Sequence, residues 1–351
     1  MTTALAPAPV PVAPLAPLGH NRSYWQIAAG SEGRTYADAF LRFGMAFVGG
    51  QGHCRTMTEV QPGDVVILKR GMSEILAVGE VVARNGQHSG IGDKAWLCDF
   101  DGWNLEAYCH VNWRVPTQPV PVSGLTRTTI QRVHQRTIRD VADQILSSAP
   151  KAPPPVPEPG PTKDVEDTTI LRFLIRSGLR PGAAEELTVA LNRIRLLASY
   201  YYDNLDWAQV REHETRTFLI VPLLLALGWA EQQIKIELPV PGTGRADLAC
   251  FLRPFRGNGQ DECALIIETK GFSQGLDYAP EQARGYARQF PSCRVVLVSN
   301  GYCYKAYTRD EEGMFGTTPA AYLNLLQPQD RYPLDPGNVN GGLEVLSLLL
   351  P

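Results

Sequence analysis

Three residues stand at a spacing that suits phosphodiester hydrolysis: Asp247, Glu268 and Lys270. Asp247 lies in an apolar run, Ala246 to Leu252, and Glu268 and Lys270 end a second run, Cys263 to Ile267. Both runs have the length and composition of strands. The polar segment Arg253 to Asp261 between them contains glycines and predicts a hairpin turn. Two adjacent antiparallel strands would then carry one acid each. Glu268 and Lys270 are two apart, so they share a face of their strand. Two carboxylates can hold a hard divalent cation, Mg²⁺ or Mn²⁺, through oxygen. Such a cation polarises a phosphate and acidifies a bound water. The lysine would orient that water and offset developing charge. A solvated strand edge can also end in Glu-x-Lys, so the three residues alone leave both readings open.

Blocks around them narrow the choice. Arg211-Glu212-His213-Glu214-Thr215-Arg216 precedes an apolar stretch, Leu219 to Ala230, interrupted by Pro222 and Gly228, which predicts a buried helix. Glu212 and Arg216 are four apart and share a helical face, whereas Glu214 points elsewhere. Gln282 and Tyr286 are likewise four apart on a predicted helix after the Glu-x-Lys strand. Val296 to Ser299 predicts the next strand, closed by Asn300-Gly301.

In that order the blocks resemble the PD-(D/E)xK nuclease superfamily, and within it the N-terminal nuclease domain of type I restriction R subunits. The similarity spans about residues 200 to 310. The proline of the name is absent, since Ala246 precedes Asp247. The resemblance implies a restriction-endonuclease-like α/β fold, a mixed sheet flanked by helices. It implies a Mg-dependent endonuclease with Asp247, Glu268 and the backbone carbonyl of Thr269 as metal ligands. Lys270 would position the attacking water. Glu212, preferred over Glu214, would take an outer metal or water role. Gln282 and Tyr286 would buttress the site or touch the phosphate backbone. No Gly-x-x-x-x-Gly-Lys-Ser/Thr occurs, so no ATPase motor is expected in this chain.

Residues 21–116 predict a small, mostly β unit. Its strands are expected at Tyr24 to Gly30, Gly44 to Gly50, Val65 to Lys69, Ile75 to Val82, Ala95 to Phe100 and Ala107 to Val115. Thr35 to Phe43 predicts a short helix and Gln61-Pro62-Gly63-Asp64 a turn. Many short strands with glycine turns favour a small barrel. The order of these pieces resembles the PUA-like superfamily, particularly its EVE-type branch. That resemblance implies an aromatic pocket for a modified or flipped base. Four of the six tryptophans fall here: Trp25, Trp96, Trp103 and Trp113. Trp103 follows Asp99-Phe100-Asp101-Gly102, where a loop is expected. An exposed ring with acids nearby can stack a base and bond its edge. The base-binding candidates are Trp25, Trp103, Tyr24 and Asp101; the alternative is that these rings are barrel core.

The remaining boundaries follow from composition. Met1 to His20 is rich in proline and alanine, lacks a signal-peptide pattern and reads as a disordered tail. Residues 117–148 read as a helical extension. Within it 124–148 predicts one amphipathic helix, with Arg127, Arg132, Arg136 and Arg139 on a solvated face or a DNA backbone. Seven prolines make 149–163 a stiff linker and the expected first site of proteolysis. Residues 164–351 hold the nuclease domain with helices at Asp164 to Arg176 and Ala183 to Tyr202. An apolar stripe, Ala190 to Ala198, would pack on that domain or on a second copy. Seven irregularly spaced cysteines read as free thiols of a cytoplasmic protein, and no apolar stretch reaches membrane-spanning length. The net charge of −3 counts mildly against tight non-specific DNA binding.

The expected function is a modification-dependent restriction or phage-defence endonuclease. The first domain would sense a modified base and the second would cut. A homodimer is expected, because one such centre cuts one strand. An RNA-directed or structure-specific repair nuclease, and a non-catalytic reader of modified nucleic acid, remain as alternatives.

Overall fold

A computed structural model describes residues 22–351 except 32, 33, 204–208, 258, 260 and 278. The Pro/Ala-rich stretch 1–20, read above as a tail, lies outside the described residues, as does part of the turn between Arg253 and Asp261. The protein is mixed α/β. The first half runs β1 (Tyr24–Ala28), a short hairpin β2 (Gly30–Ser31) and β3 (Arg34–Thr35), α1 (Ala37–Phe43), β4 (Met45–Val48), α2 (Gln51–Met57), β5 (Val65–Arg70) and β6 (Glu74–Val81). It continues through β7 (Ser89–Ile91), α3 (Ala95–Cys98), β8 (Ala107–Arg114), β9 (Val120–Pro121), β10 (Ile130–Arg132) and α4 (Arg136–Ser148).

Eight of these strands form one curled sheet in the order β10-β1-β5-β6-β8-β4, with β7 on β8 and β9 on β6. Only β1 and β5 run parallel, because α1, β4 and α2 carry the chain across between them. β5 is apolar at successive positions because both its faces are covered. Val66 and Leu68 join the aromatic core with Trp25, Phe40, Phe47, Trp96 and Trp113, while Val65 and Ile67 lie under α4 with Ile138, Ala142 and Ile145.

Two local expectations fail here. Ala95 to Phe100 is not a strand; Ala95–Cys98 is one helical turn. Consecutive Trp96 and Leu97 both enter the same core, which a strand, with its alternating faces, cannot arrange. Nor is 124–148 one helix. Ile130 pairs with Ile27 as β10, and the helix begins only at Arg136. Ile130 and Val133 fit a helical period, yet they enter different cores. The open edge of β1 takes the partner that local periodicity missed. The basic face is partly used internally: Arg132 lies over the Trp25 ring at 4.8 Å, and Arg139 donates to the carbonyls of Val133 and His134.

The second half contains α5 (Asp167–Arg176), α6 (Pro181–Asp203), α7 (Glu212–Thr215), a π-helical stretch Arg216–Ile220 and α8 (Val221–Ala226). Then come β11 (Ile234–Val240), β12 (Gly244–Phe251), β13 (Cys263–Thr269), α9 (Ala279–Ala287), β14 (Val295–Ser299), β15 (Cys303–Thr308), β16 (Ala321–Asn324) and α10 (Gly342–Leu348). The strands form a six-stranded sheet in sequence order. β13 and β14 are its one parallel pair, joined by α9; the other pairs are antiparallel. The stripe of α6 is spent inside the chain. Leu187, Leu191, Ile194 and Ala198 are buried in the same core as α8, so this stripe is not available to a second copy.

The two halves meet through a buried polar seam. Lys305 on β15 pairs with Asp101 Oδ2 at 2.7 Å, and Tyr332 donates to the other oxygen of Asp101. Asp99 accepts from Tyr322 at 2.8 Å and Asn324 at 3.1 Å. Asp101 itself holds φ +52°, a left-handed conformation that costs a non-glycine residue about 1–2 kcal/mol. Gly102 is required for the approach: a Cβ there would lie 2.3 Å from Cys303 Sγ.

The proline-rich segment 149–163 is a strap tied to both halves. Ala152 N–H donates to the Trp113 carbonyl and Val156 N–H to that of Arg42. Lys94 pairs with Glu158 at 2.7 Å, and Lys163 N–H donates to Asp330. The stiff linker expected from composition lies against both halves, as proline-fixed φ angles suit a strap as well as a tether, so its reading as the first site of proteolysis is corrected. Limited trypsin digestion is expected to spare Lys151 and Lys163, as read by mass spectrometry of the first fragments. Early cleavage at either would contradict the strap.

Candidate active site

The active-site candidates converge where the first half of β12 and the end of β13 lie beside the helical run from Glu212. The register Leu248↔Ile267 places Asp247 opposite Glu268. β13 continues in line to Lys270, whose N–H donates to the Ser299 carbonyl at 2.8 Å. The acids thus sit at the carboxyl end of the parallel pair β13 and β14. In open α/β sheets this is where ligands bind.

The helical run is held there by two contacts. Thr215 Oγ1 donates to the Lys270 carbonyl at 2.9 Å, and Gly301 lets Leu219 approach so closely that a Cβ would meet it at 2.5 Å. Pro222 explains the π-helical stretch. It has no N–H for the Phe218 carbonyl and its ring presses on that turn, so the run widens before it.

Asp247 is fixed by its neighbours. Its Oδ2 accepts from Thr269 N–H at 2.6 Å and from Thr269 Oγ1 at 2.9 Å. Arg216, only 6 % exposed, lies 3.6 Å from Oδ1 and 3.5 Å from Glu237. Sequence reasoning put Arg216 on the Glu212 face but gave it no role; its i+4 spacing was the signal.

Glu268 is 1 % exposed. Its Oε1 accepts from Lys270 Nζ at 2.7 Å, while its Oε2 is buried without a hydrogen-bond partner. Burial, then the charge of Asp247, push its pKa up to about 7, against the pull of Lys270. Burial and Asp247 also raise Glu212. For Lys270, burial works to lower the pKa, but the hydrogen bond and charge of Glu268, with Glu212 and Asp247, outweigh it and raise it. Lys270 is therefore an ammonium at neutral pH, a donor rather than a base. Glu214 is engaged elsewhere, accepting from Arg211 N–H at its own helix start.

A divalent cation fits this donor set. The acids are hard oxygen donors, the charge of Asp247 helps raise both Glu268 and Glu212, and an orphaned buried carboxylate oxygen lacks a positive partner. Among the described residues no three His, Cys, Asp or Glu side chains gather as a ready ligand set. Backbone oxygen and water would complete the shell, as Mg²⁺ ordinarily requires. Gln282 Nε2 donates to Tyr286 OH at 2.9 Å. Tyr286 is buried and approaches Gly244, at the start of the strand that bears Asp247. This pair braces β12; no described hydrogen bond links it to the acids.

The base-binding candidates separate. Trp25 is 1 % exposed and donates to Asp64 at 2.9 Å, so it is core. Asp101 is locked in the seam between the halves. Both are corrected on that ground: their polar atoms are already satisfied inside the protein. Tyr24 donates to Asp143 and lines a groove with α4 and the strap. Trp103 alone of the four lines an apolar cavity of about 600 Å³, with Tyr36, His53, Asn104 and Leu105. Its indole Nε1 is buried without a partner, and Arg34 stacks on the ring at 4.0 Å. All seven cysteines are free thiols, and among the described residues no helix is long and apolar enough to cross a membrane. No protein-family model matches the chain, and no curated protein matches it.

Proposed function

We propose that the chain is a metal-dependent endonuclease of the PD-(D/E)xK kind, with its first half a PUA-like sensor of a modified base. The observation that carries this is the Asp247–Glu268–Lys270 cluster with its orphaned Glu268 Oε2. A merely structural ion pair needs no second acid opposite it, nor a buried carboxylate held near neutrality at about 7. Asp247 and Glu268 would hold a Mg²⁺ ion, which would supply charge for the phosphate and an acidified water. Asp247 is held in orientation by Thr269 and faces Arg216. Lys270 directs its ammonium to the attacking oxygen and stabilises the charge that develops on phosphate. Glu212 takes the outer position, and Arg216 faces the same acids and adds positive charge. The sensing role falls to the cavity at Trp103, whose size suits one base stacked on an indole. Restriction of modified DNA is the role that best joins a cutting centre to such a pocket.

Lys270→Ala is expected to lower Mg²⁺-dependent plasmid cutting by about 10²–10³-fold or more. Circular dichroism should show the fold retained. Asp247→Asn should in addition weaken binding of Mn²⁺ measured by calorimetry. A Lys270→Ala protein that cuts at the wild-type rate would remove this centre from the chemistry.

A further inference from the structure

The Trp103 cavity is not built by the first half alone. Tyr202 and Asp203, the last two described residues of α6, form part of its wall. Tyr202 OH accepts from Asn104 N–H at 3.4 Å, and its ring meets Tyr302 edge-on at 5.8 Å. The second half thus reaches into a pocket whose other walls are Ala28, Tyr36, Val48, His53 and Trp103. The seam around Asp101 and Lys305 holds the halves in that register.

The wall chemistry selects an occupant. Trp103, Tyr36 and Tyr202 line the pocket with aromatic rings, the kind of wall a flat ring packs against. Asp203 is exposed at the wall and adds an anion there. A carboxylate repels phosphate and accepts from an amino group, as it does from the amino edge of cytosine. We propose, resting on the base-sensing reading above, that the pocket is a composite site. It takes an amino-bearing base, cytosine- or adenine-type, between the two halves, with Tyr202 and Asp203 as specificity-determining residues from the cutting half. Arg34, stacked on the Trp103 ring, donates to the Ser273 carbonyl at 3.2 Å, three residues beyond Lys270.

The test uses the full chain in EDTA, so that no strand is cut. Fluorescence anisotropy would compare labelled oligothymidylates carrying one central 5-methylcytosine, cytosine, N6-methyladenine or adenine with the all-thymine strand. At least one amino-bearing base should bind about tenfold tighter than thymine, and Asp203→Ala and Tyr202→Ala should each abolish that preference. Asp203 is exposed, so its removal leaves the fold intact and keeps the result readable. A preference that survives Asp203→Ala but is lost in Trp103→Ala would overturn the composite site. No preference for any amino-bearing base would overturn the ligand class. Mg²⁺-dependent plasmid cutting by the wild type, measured alongside, separates the two readings. Cutting without base preference would sink the pocket proposal alone. Preference that depends on Asp203, without cutting, would sink the nuclease reading and leave the pocket standing.

Discussion

Glu268→Gln is expected to make the metal-free protein more stable at pH 8 while abolishing its cutting. The side chain is almost wholly buried, and its carboxyl is raised from 4.5 to about 7. Below pH 4.5 the acid is protonated in both the folded and unfolded chain, and the native state bears no penalty. Between 4.5 and 7 the unfolded chain has lost the proton that the native state keeps, so stability falls as pH rises. Above 7 the full difference is felt, about 3 kcal/mol. Glutamine carries no charge and escapes this loss. Urea unfolding at pH 8 and pH 5 should show the variant's advantage large at the first and small at the second. Mg²⁺ should then stabilise the wild type and not the variant, because the cation relieves the buried charge. Asp99, raised to about 6 by burial, falls in an overlapping window, so the comparison must be between variant and wild type. A Glu268→Gln protein less stable than wild type at pH 8 would mean that Glu268 serves the fold through Lys270.

Lys305→Ala is expected to destabilise the protein by about 3–5 kcal/mol and to loosen the two halves. Lys305 and Asp101 are each 7 % exposed and 2.7 Å apart, across the seam. Burial alone would lower the lysine's pKa; Asp101 and Asp277 outweigh it and raise it, so the ammonium persists at neutral pH. Removing it strands a buried carboxylate that already sits in a left-handed backbone conformation. The double change Asp101→Asn with Lys305→Met should recover part of the loss, because no charge is then left unpaired. Denaturant midpoints of the wild type, Asp101→Asn, Lys305→Met and the double variant would measure the coupling. A Lys305→Ala cost below about 1 kcal/mol, the range of an exposed pair, would show that water reaches the seam.

Much of the candidate site was legible because its signals are local. Asp247 lies within β12 and Glu268 and Lys270 at the end of β13, strands whose apolar runs and intervening turn can be read over some two dozen residues. The fold of that half followed similarly: continuous apolar runs of strand length marked β12, β13 and β14, and the i, i+4 pairs marked the helices. Helical spacing put Glu212 and Glu214, two residues apart, on different faces, and the position of Glu212 in the block that resembles the nuclease superfamily decided between them. Trp103 could be singled out from its loop, but not its cavity.

What stayed hidden depends on contacts far apart in the chain. Asp101 and Trp103 are two residues apart and were read together, yet one is locked against Lys305 and the other lines a cavity. Trp25 looked like Trp103 in composition; only its strand position and Asp64 put it in the core. Ile130 and Val133 satisfied a helical period until β1 needed a partner. Proline content marked 149–163 as stiff and left open whether it would swing free or lie flat. The sequence by itself determined the chemical types, the strand and helix periods and the pairing of acids on neighbouring strands, because each is fixed by residues within hydrogen-bonding or hairpin range. The tertiary structure alone decided which charges are buried, which rings remain open to a ligand and that Tyr202 and Asp203 close the pocket, because desolvation is a property of everything that packs around a group and not of its place in the chain.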